Sequence, residues 1–111
     1  MKNERCLPMN VIVTHELCAY REAIAGTIRA LRPAVMVWSV TVSDLDRALL
    51  DHAPRLVICS HLTELVRTQA PSWVLLYPDG ADRAEISILG AYELLPQVAL
   101  DRLLDVVDRA A

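Results

Sequence analysis

Apolar and polar residues follow two different periods along this chain, one typical of strands and one typical of helices. Four short apolar runs predict strands, at residues 9–13, 35–40, 56–59 and 73–77. The third run is apolar at every position, as in a parallel strand that is covered on both faces. Strands that alternate with helical segments indicate a parallel α/β sheet with right-handed crossovers.

The segments between these runs carry apolar residues at helical spacing. The first helix ends at Arg32-Pro33, and its spaced residues are Tyr20, Ala23, Ile24, Ile28 and Leu31. Ser43 is a predicted N-cap for a second helix that stops before Pro54 and buries Leu45, Ala48 and Leu49. A short third helix is predicted around residues 63–69. The last helix carries a stripe of Leu100, Leu103, Leu104 and Val107.

Residues 81–96 fit two different structures. One is a helix over residues 81–89, followed by a strand over residues 92–95. The other is a β-hairpin, in which Ile86 and Ile88 alternate with polar residues and Gly90 lies at the turn. Because β-branched isoleucines at alternate positions favour strands, the pattern favours the hairpin.

The length of 111 residues suffices for one domain, predicted over residues 9–111, after an N-terminal extension over residues 1–8. No apolar run reaches the roughly 18 residues of a membrane helix, and the N-terminus lacks the apolar core of a secretory signal. The net charge is −3, and acidic and basic residues are interspersed, so the sequence lacks the basic cluster expected of a nucleic-acid-binding protein. Three scattered cysteines predict reduced thiols and a cytoplasmic protein, and they are Cys6, Cys18 and Cys59.

From about residue 10 to 108 the chain resembles a degenerate response-regulator receiver domain of the flavodoxin-like class. The resemblance rests on the strand–helix order, on the Pro-x-Leu-Val-Ile-x-Ser run at residues 54–60, and on the spacing from Gly90 to Pro96. Residues 73–80 also resemble a stretch of small uncharacterised bacterial proteins. The resemblance implies a three-layer α/β domain with a parallel sheet of order 2-1-3-4. The alternation in residues 81–96 predicts that a β-hairpin or meander replaces the fourth helix, before a C-terminal helix packed on the sheet.

The functional residues of receivers are replaced at the corresponding positions of this chain. The acidic pair that holds magnesium falls on Thr14 and His15, and the phosphoacceptor aspartate falls on Ser60. The switch residue falls near Tyr77, and the lysine falls on Leu95. Magnesium needs carboxylate oxygens, and a transferring phosphoryl group needs neutralising charge. Phosphorylation by the usual route is therefore not expected.

Several polar residues follow strands whose carboxyl ends meet at one edge of such a sheet, where ligands bind in open α/β folds. His15, Cys18, Ser60 and His61 are expected there, with Cys59 just before them. A Cys/His group of this kind can hold zinc, and His15 can activate Ser60 or a cysteine as a nucleophile, but neither spacing matches a known pattern. The simpler interpretation is a core cysteine and polar strand ends, with no metal, no cofactor and no catalytic residue.

The sequence therefore predicts a non-catalytic pseudo-receiver that acts as a regulatory module through protein contacts. The partner is another protein or a second copy, in a homodimer formed through residues 86–107. The alternative is a small-molecule or metal-binding module at the edge of the sheet, with candidate residues Thr14, His15, Ser60, His61 and Tyr77. A pocket at these residues favours the alternative, whereas an apolar surface patch bearing Trp38 or Trp73 favours the interaction module.

Overall fold

The computed structural model describes residues 9–111, so the predicted extension over residues 1–8 lies outside the described residues. The strands are β1 Met9–Val13, β2 Val35–Ser39, β3 Leu56–Cys59, β4 Ser72–Leu76, β5 Ala84–Ile88 and β6 Ala91–Leu95. The helices are α1 Cys18–Leu31, α2 Leu45–His52, α3 Glu64–Gln69 and α4 Leu100–Ala110. Short 3₁₀ turns lie at Val42–Asp44 and Pro78–Gly80.

All six strands form one mixed sheet in the order β2-β1-β3-β4-β5-β6. The first four strands are parallel and have the predicted order 2-1-3-4, whereas β5 and β6 are antiparallel to their preceding strands. The helix–strand interpretation of residues 81–96 is therefore wrong, and the hairpin is confirmed. Its turn is made by Leu89 and Gly90, which both have positive φ (50° and 91°), as the tight turns of hairpins require.

Helices cover both faces of the parallel part of the sheet. One apolar cluster joins α1 and α4 to side chains such as Val11, Ile58 and Ile86. A second cluster joins α2 and α3 to the opposite side chains, such as Ile12, Val57 and Trp73. Because successive residues of a strand point to opposite faces, β3 is buried at all of its positions.

The predicted apolar stripe of α4 is wrong in phase, although its period is right. The buried residues are Leu103, Val106, Val107 and Ala110, whereas Leu100 is exposed and Leu104 is half-buried. In this orientation, α4 forms two ion pairs with neighbouring parts of the chain. Asp108 accepts two hydrogen bonds from Arg32, the residue that follows α1, at 2.7 and 2.8 Å. Arg109 donates to Glu93 of β6 at 3.1 and 2.9 Å.

The hairpin lacks a helix on the side of the sheet where α2 and α3 lie. Tyr92 and Leu94 of β6 point to this side together with Glu85 and Ser87 of β5. Tyr92 is 58% exposed and Leu94 is 59% exposed. We call these four residues the open hairpin face.

The two tryptophans do not form a surface patch. Trp73 is buried in the cluster with α2 and α3. Trp38 stacks on the ring of His52 at a centroid distance of 3.8 Å, and its Nε1–H donates to Asn10 Oδ1 at 3.3 Å. The apolar patch that would have favoured an interaction site at the tryptophans is therefore not formed.

The N-caps of α2 and α3 can be compared with the sequence pattern. Ser43 is not the N-cap of α2, because it lies within the 3₁₀ turn and Asp44 holds the cap position. Thr63 caps α3, since its Oγ1 accepts the Val66 N–H at 3.2 Å. No helix within residues 9–111 combines the length and apolarity needed to cross a membrane.

Candidate functional site

A cleft of about 1020 Å³ lies where β1, β3 and β4 end. These strands are parallel neighbours, so the loops that follow them meet at the same edge of the sheet. The chain leaves β1 toward β2 on one side and leaves β3 toward β4 on the other. Such a change of direction is the usual position of ligands in open α/β sheets.

Four of the five residues predicted from the sequence line this cleft. His15 follows β1, Ser60 and His61 follow β3, and Tyr77 follows β4. Thr14 is buried at the end of β1 and is not among the lining residues. The other lining residues are Glu16, Leu17, Tyr20, Leu62, Arg67, Leu75, Leu76, Pro78, Gly80, Asp82 and Glu85.

His15 is held as a neutral imidazole at the inner end of the cleft. Only 7% of the residue is exposed. Its Nδ1 accepts the backbone N–H of Leu17 at 2.9 Å, so Nε2 carries the ring proton in the neutral form. Burial lowers the pKa of His15, and the carboxylate of Glu16 opposes part of that shift. His15 is therefore uncharged at neutral pH and offers one N–H donor.

The loops after β1 and β3 are joined across the rim of the cleft. The backbone N–H of Glu16 donates to Ser60 Oγ at 3.3 Å. The Glu16 carboxylate also pairs with Nε2 of His61. These contacts hold Ser60 and His61 against the start of α1, so the rim is fixed by both a backbone and a side-chain contact.

Three rings form a continuous surface beside this rim. The ring of His15 makes edge-to-face contacts with Tyr20 at 5.3 Å and with Tyr77 at 6.1 Å. The Tyr20 and Tyr77 rings lie 6.2 Å apart with a tilt of 38°. We call these three residues the aromatic wall. Edge-to-face packing of this kind stabilises ring positions beyond the burial of area.

Tyr77 occupies its place with a strained backbone. Its φ and ψ are both 51°, in the left-handed region that bulky residues rarely adopt. Within residues 9–111, two other non-glycine residues have positive φ: Ala53 ends α2, and Leu89 lies in the hairpin turn. Tyr77 itself immediately precedes the 3₁₀ turn Pro78–Gly80. Strain of this kind concentrates at functional sites, where it directs a side chain. Here it directs the Tyr77 ring toward His15 and Tyr20.

No family model, curated protein or solved structure matches this chain. Its likeness to receivers therefore stays a prediction that rests on the residues around Pro54 and Gly90. The chemistry of the site follows from its own residues and distances.

The groups that could have built a metal or nucleophilic site do not converge. Within residues 9–111, no three His, Cys, Asp or Glu side chains come together in a way that could hold a metal ion. In the same range, no hydrogen bond joins Ser60 to His15 or His61. Cys59 is fully buried, and burial raises the pKa of its thiol to about 12. A thiol of that pKa is inert as a nucleophile at neutral pH.

Several cleft residues were not found from the sequence. Tyr20 was assigned to the apolar stripe of α1, but it is half exposed and its ring lies in the aromatic wall. Asp82 and Glu85 reach the cleft because β5 starts at the same edge where β4 ends. The position of Tyr20 in the first turn of α1 was the available signal, because helical side chains point back toward the N-terminus.

Proposed function

We propose that this protein is a non-catalytic regulatory module that binds a small organic molecule in the cleft at the carboxyl edge of its sheet. The observation that carries the proposal is the convergence of His15, Ser60 and Tyr77 on that cleft. The volume of about 1020 Å³ lies at the upper limit of small-molecule sites, which run from roughly 300 to 1,000 Å³.

The composition of the cleft also fits binding better than catalysis. The lining mixes apolar side chains, such as Leu62 and Leu75, with polar groups that could orient a bound molecule. As the structure describes them, His15, Ser60 and His61 are not hydrogen-bonded to one another. Each instead contacts Glu16 or Leu17, in the loop before α1. The strained Tyr77 and the buried His15 give the cleft a preformed inner surface.

A receiver-like use of the cleft as a phosphorylation site is disfavoured by its charges. Among the described residues that line the cleft, one guanidinium, that of Arg67, stands against the three carboxylates of Glu16, Asp82 and Glu85. Phosphoryl groups require an excess of positive charge or a bound magnesium ion. We therefore propose a pseudo-receiver in which ligand binding takes the place of phosphorylation as the regulating event.

The experiment is a fragment screen of the full chain by amide NMR, followed by titration of the best fragment. Bound fragments should shift the amides of residues 14–17, 60–62 and 76–78. Tyr20→Ala should weaken binding about tenfold, because it removes one ring of the aromatic wall. Leu31→Ala is the matched control, because Leu31 is similarly exposed on the same helix (54% against 50%) and does not line the cleft. Fragments that bind elsewhere, or equal losses in both variants, would contradict the proposal.

A second function, self-association, is favoured by the open hairpin face. Within the described part of the chain, β6 pairs with β5 alone and is therefore an edge strand. Exposed edge strands pair readily with another copy unless something blocks them. Tyr92 and Leu94 add exposed apolar area beside this edge.

The sequence of β6 is compatible with antiparallel pairing to a second copy. A pairing centred on Glu93 places Tyr92 of one copy opposite Leu94 of the other, so apolar side chains meet apolar side chains. The two Glu93 carboxylates then face each other, but each is already bound by Arg109 at 3.1 and 2.9 Å. We propose a homodimer of less than standard interface area through this edge.

Sedimentation velocity over a concentration series tests the homodimer. Leu94→Lys should abolish association and leave the circular dichroism spectrum unchanged. Leu50→Lys is the control, because Leu50 is 67% exposed on α2, away from β6. A strict monomer at high concentration would refute the dimer and leave the cleft as the functional site.

A further inference from the structure

The cleft combines an aromatic surface with an excess of negative charge. Among the side chains that the structure describes, the lining holds the carboxylates of Glu16, Asp82 and Glu85 and the guanidinium of Arg67. The carboxylate of Glu16 is paired with His61, whereas Asp82 and Glu85 form no ion pair with another described residue. Asp82 accepts the backbone N–H of Val98 at 3.4 Å. An anionic ligand would meet this excess of carboxylates, whereas a cationic ligand would be attracted by it.

Two of the carboxylates, those of Asp82 and Glu16, act electrostatically on residues of the aromatic wall. Burial raises the pKa of Tyr77, and the charge of Asp82 raises it further. The charge of Glu16 acts on His15 at the inner end of the wall. The faces of tyrosine rings carry the negative part of the ring quadrupole, which attracts cations. Two independent features, the ring faces and the carboxylates, therefore favour the same sign of charge in a ligand.

We propose that the ligand of this cleft is an organic cation, such as an amidine, guanidine or substituted ammonium group, bound against Tyr20 and Tyr77 with Asp82 and Glu85 nearby. This inference rests on the proposed small-molecule function and specifies its ligand class. The cationic group stacks on the exposed ring face of Tyr20, which is 50% exposed, and its N–H groups donate to the carboxylates. Arg67, on the side of the cleft formed by α3, would repel a second positive charge on the same ligand.

Three probes of nearly equal shape test the charge requirement, namely benzamidinium, neutral benzamide and anionic benzoate. Each is titrated into the ¹⁵N-labelled full chain, and the Kd is read from the amides of residues 14–17, 60–62 and 76–78. Benzamidinium should bind at least about tenfold more tightly than benzamide, and benzoate should bind most weakly. The affinity of benzamidinium should fall as the salt concentration rises, because salt screens its attraction to the carboxylates.

Variants separate the contributions of the rings and the charges. Tyr20→Leu should weaken benzamidinium about three- to fivefold more than Tyr20→Phe, since phenylalanine keeps the ring face. Asp82→Asn should weaken benzamidinium about fivefold and leave benzamide unchanged. Asp51→Asn is the control, because it removes the same charge from the exposed side of α2.

The outcomes distinguish this inference from the function on which it rests. Equal binding of benzamide and benzamidinium at the cleft amides would overturn the cation inference and leave a small-molecule site. If no probe shifts those amides, both proposals fail. An arginine side chain of a protein offers the same chemistry as a free amidine, so a blocked Gly-Arg-Gly peptide is a fourth arm. Binding of the peptide at least about tenfold tighter than benzamidinium would support the cation site and assign its ligand to a protein.

Discussion

The packing of α4 gives the sharpest test of the structure, because the sequence pattern and the fold disagree about which leucine matters most. The pattern places Leu100, Leu103 and Leu104 on one buried stripe. In the fold Leu103 is 1% exposed, whereas Leu100 is 44% exposed and Leu104 is half-buried. Replacing each leucine with alanine removes the same three carbon groups, so differences in stability report burial alone.

The expected loss for Leu103→Ala is about 3 kcal/mol. Transfer of the lost groups accounts for about 2.4 kcal/mol at roughly 0.8 kcal/mol per CH₂ group, and the residual cavity adds to this. Leu100→Ala should cost less than about 1 kcal/mol, with Leu104→Ala in between. Urea denaturation followed by circular dichroism measures each free energy of unfolding. A larger loss for Leu104→Ala than for Leu103→Ala would refute the observed rotation of α4.

Three further predictions concern the thiols, the pH dependence and the missing phosphoacceptor. In the native protein Cys59 should resist alkylation while the exposed Cys18 reacts, and equal rates by mass spectrometry would contradict its burial. Because burial lowers the pKa of His15 below the ordinary histidine value of 6.5, the unfolded chain binds a proton that the folded protein does not. Stability should therefore fall as the pH drops through 6.5, and His15→Gln should reduce this loss in urea melts at about pH 7.5 and 5.5. Acetyl phosphate with magnesium should leave the intact mass unchanged, and a phosphoryl adduct that Ser60→Ala removes would show the opposite.

The strands were predictable because each is a compact apolar run with its own boundary residues. The hairpin was harder, since its turn is formed by Leu89 and Gly90 rather than by the asparagine and glycine that such turns favour. The signals for strands were the alternation around Ile86 and Ile88, the alternation of Tyr92 and Leu94, and the glycine at position 90. Leu89 has a φ of 50°, which leucine rarely adopts, so its place in a turn cannot be predicted from its residue type.

Helical phase and the full lining of the site depend on contacts between elements that are distant in sequence. The helical spacing of apolar residues in α4 can be read from its own sequence. Which side of the helix faces the sheet cannot, because α4 also contacts Arg32 and Glu93 from distant parts of the chain. Strand-end residues such as His15 and Ser60 were predictable, because parallel strands end at a common edge. Tyr20 and Glu85 were not, because their place in the cleft follows from helix packing and from the reversal of direction at β5.

The position of β1 between β2 and β3 has a consequence for how the chain folds. Both of its neighbours follow it in sequence, and Val11 pairs with Leu56, whereas β5 and β6 close across a tight turn. Long-range pairing of parallel strands is slow, because the loop must close before the contacts form. During synthesis Val11, Ile12 and Val13 therefore stay without their β3 partner until that strand has emerged. We expect substitutions in β3 to slow folding, and substitutions in β6 to act mainly by speeding unfolding.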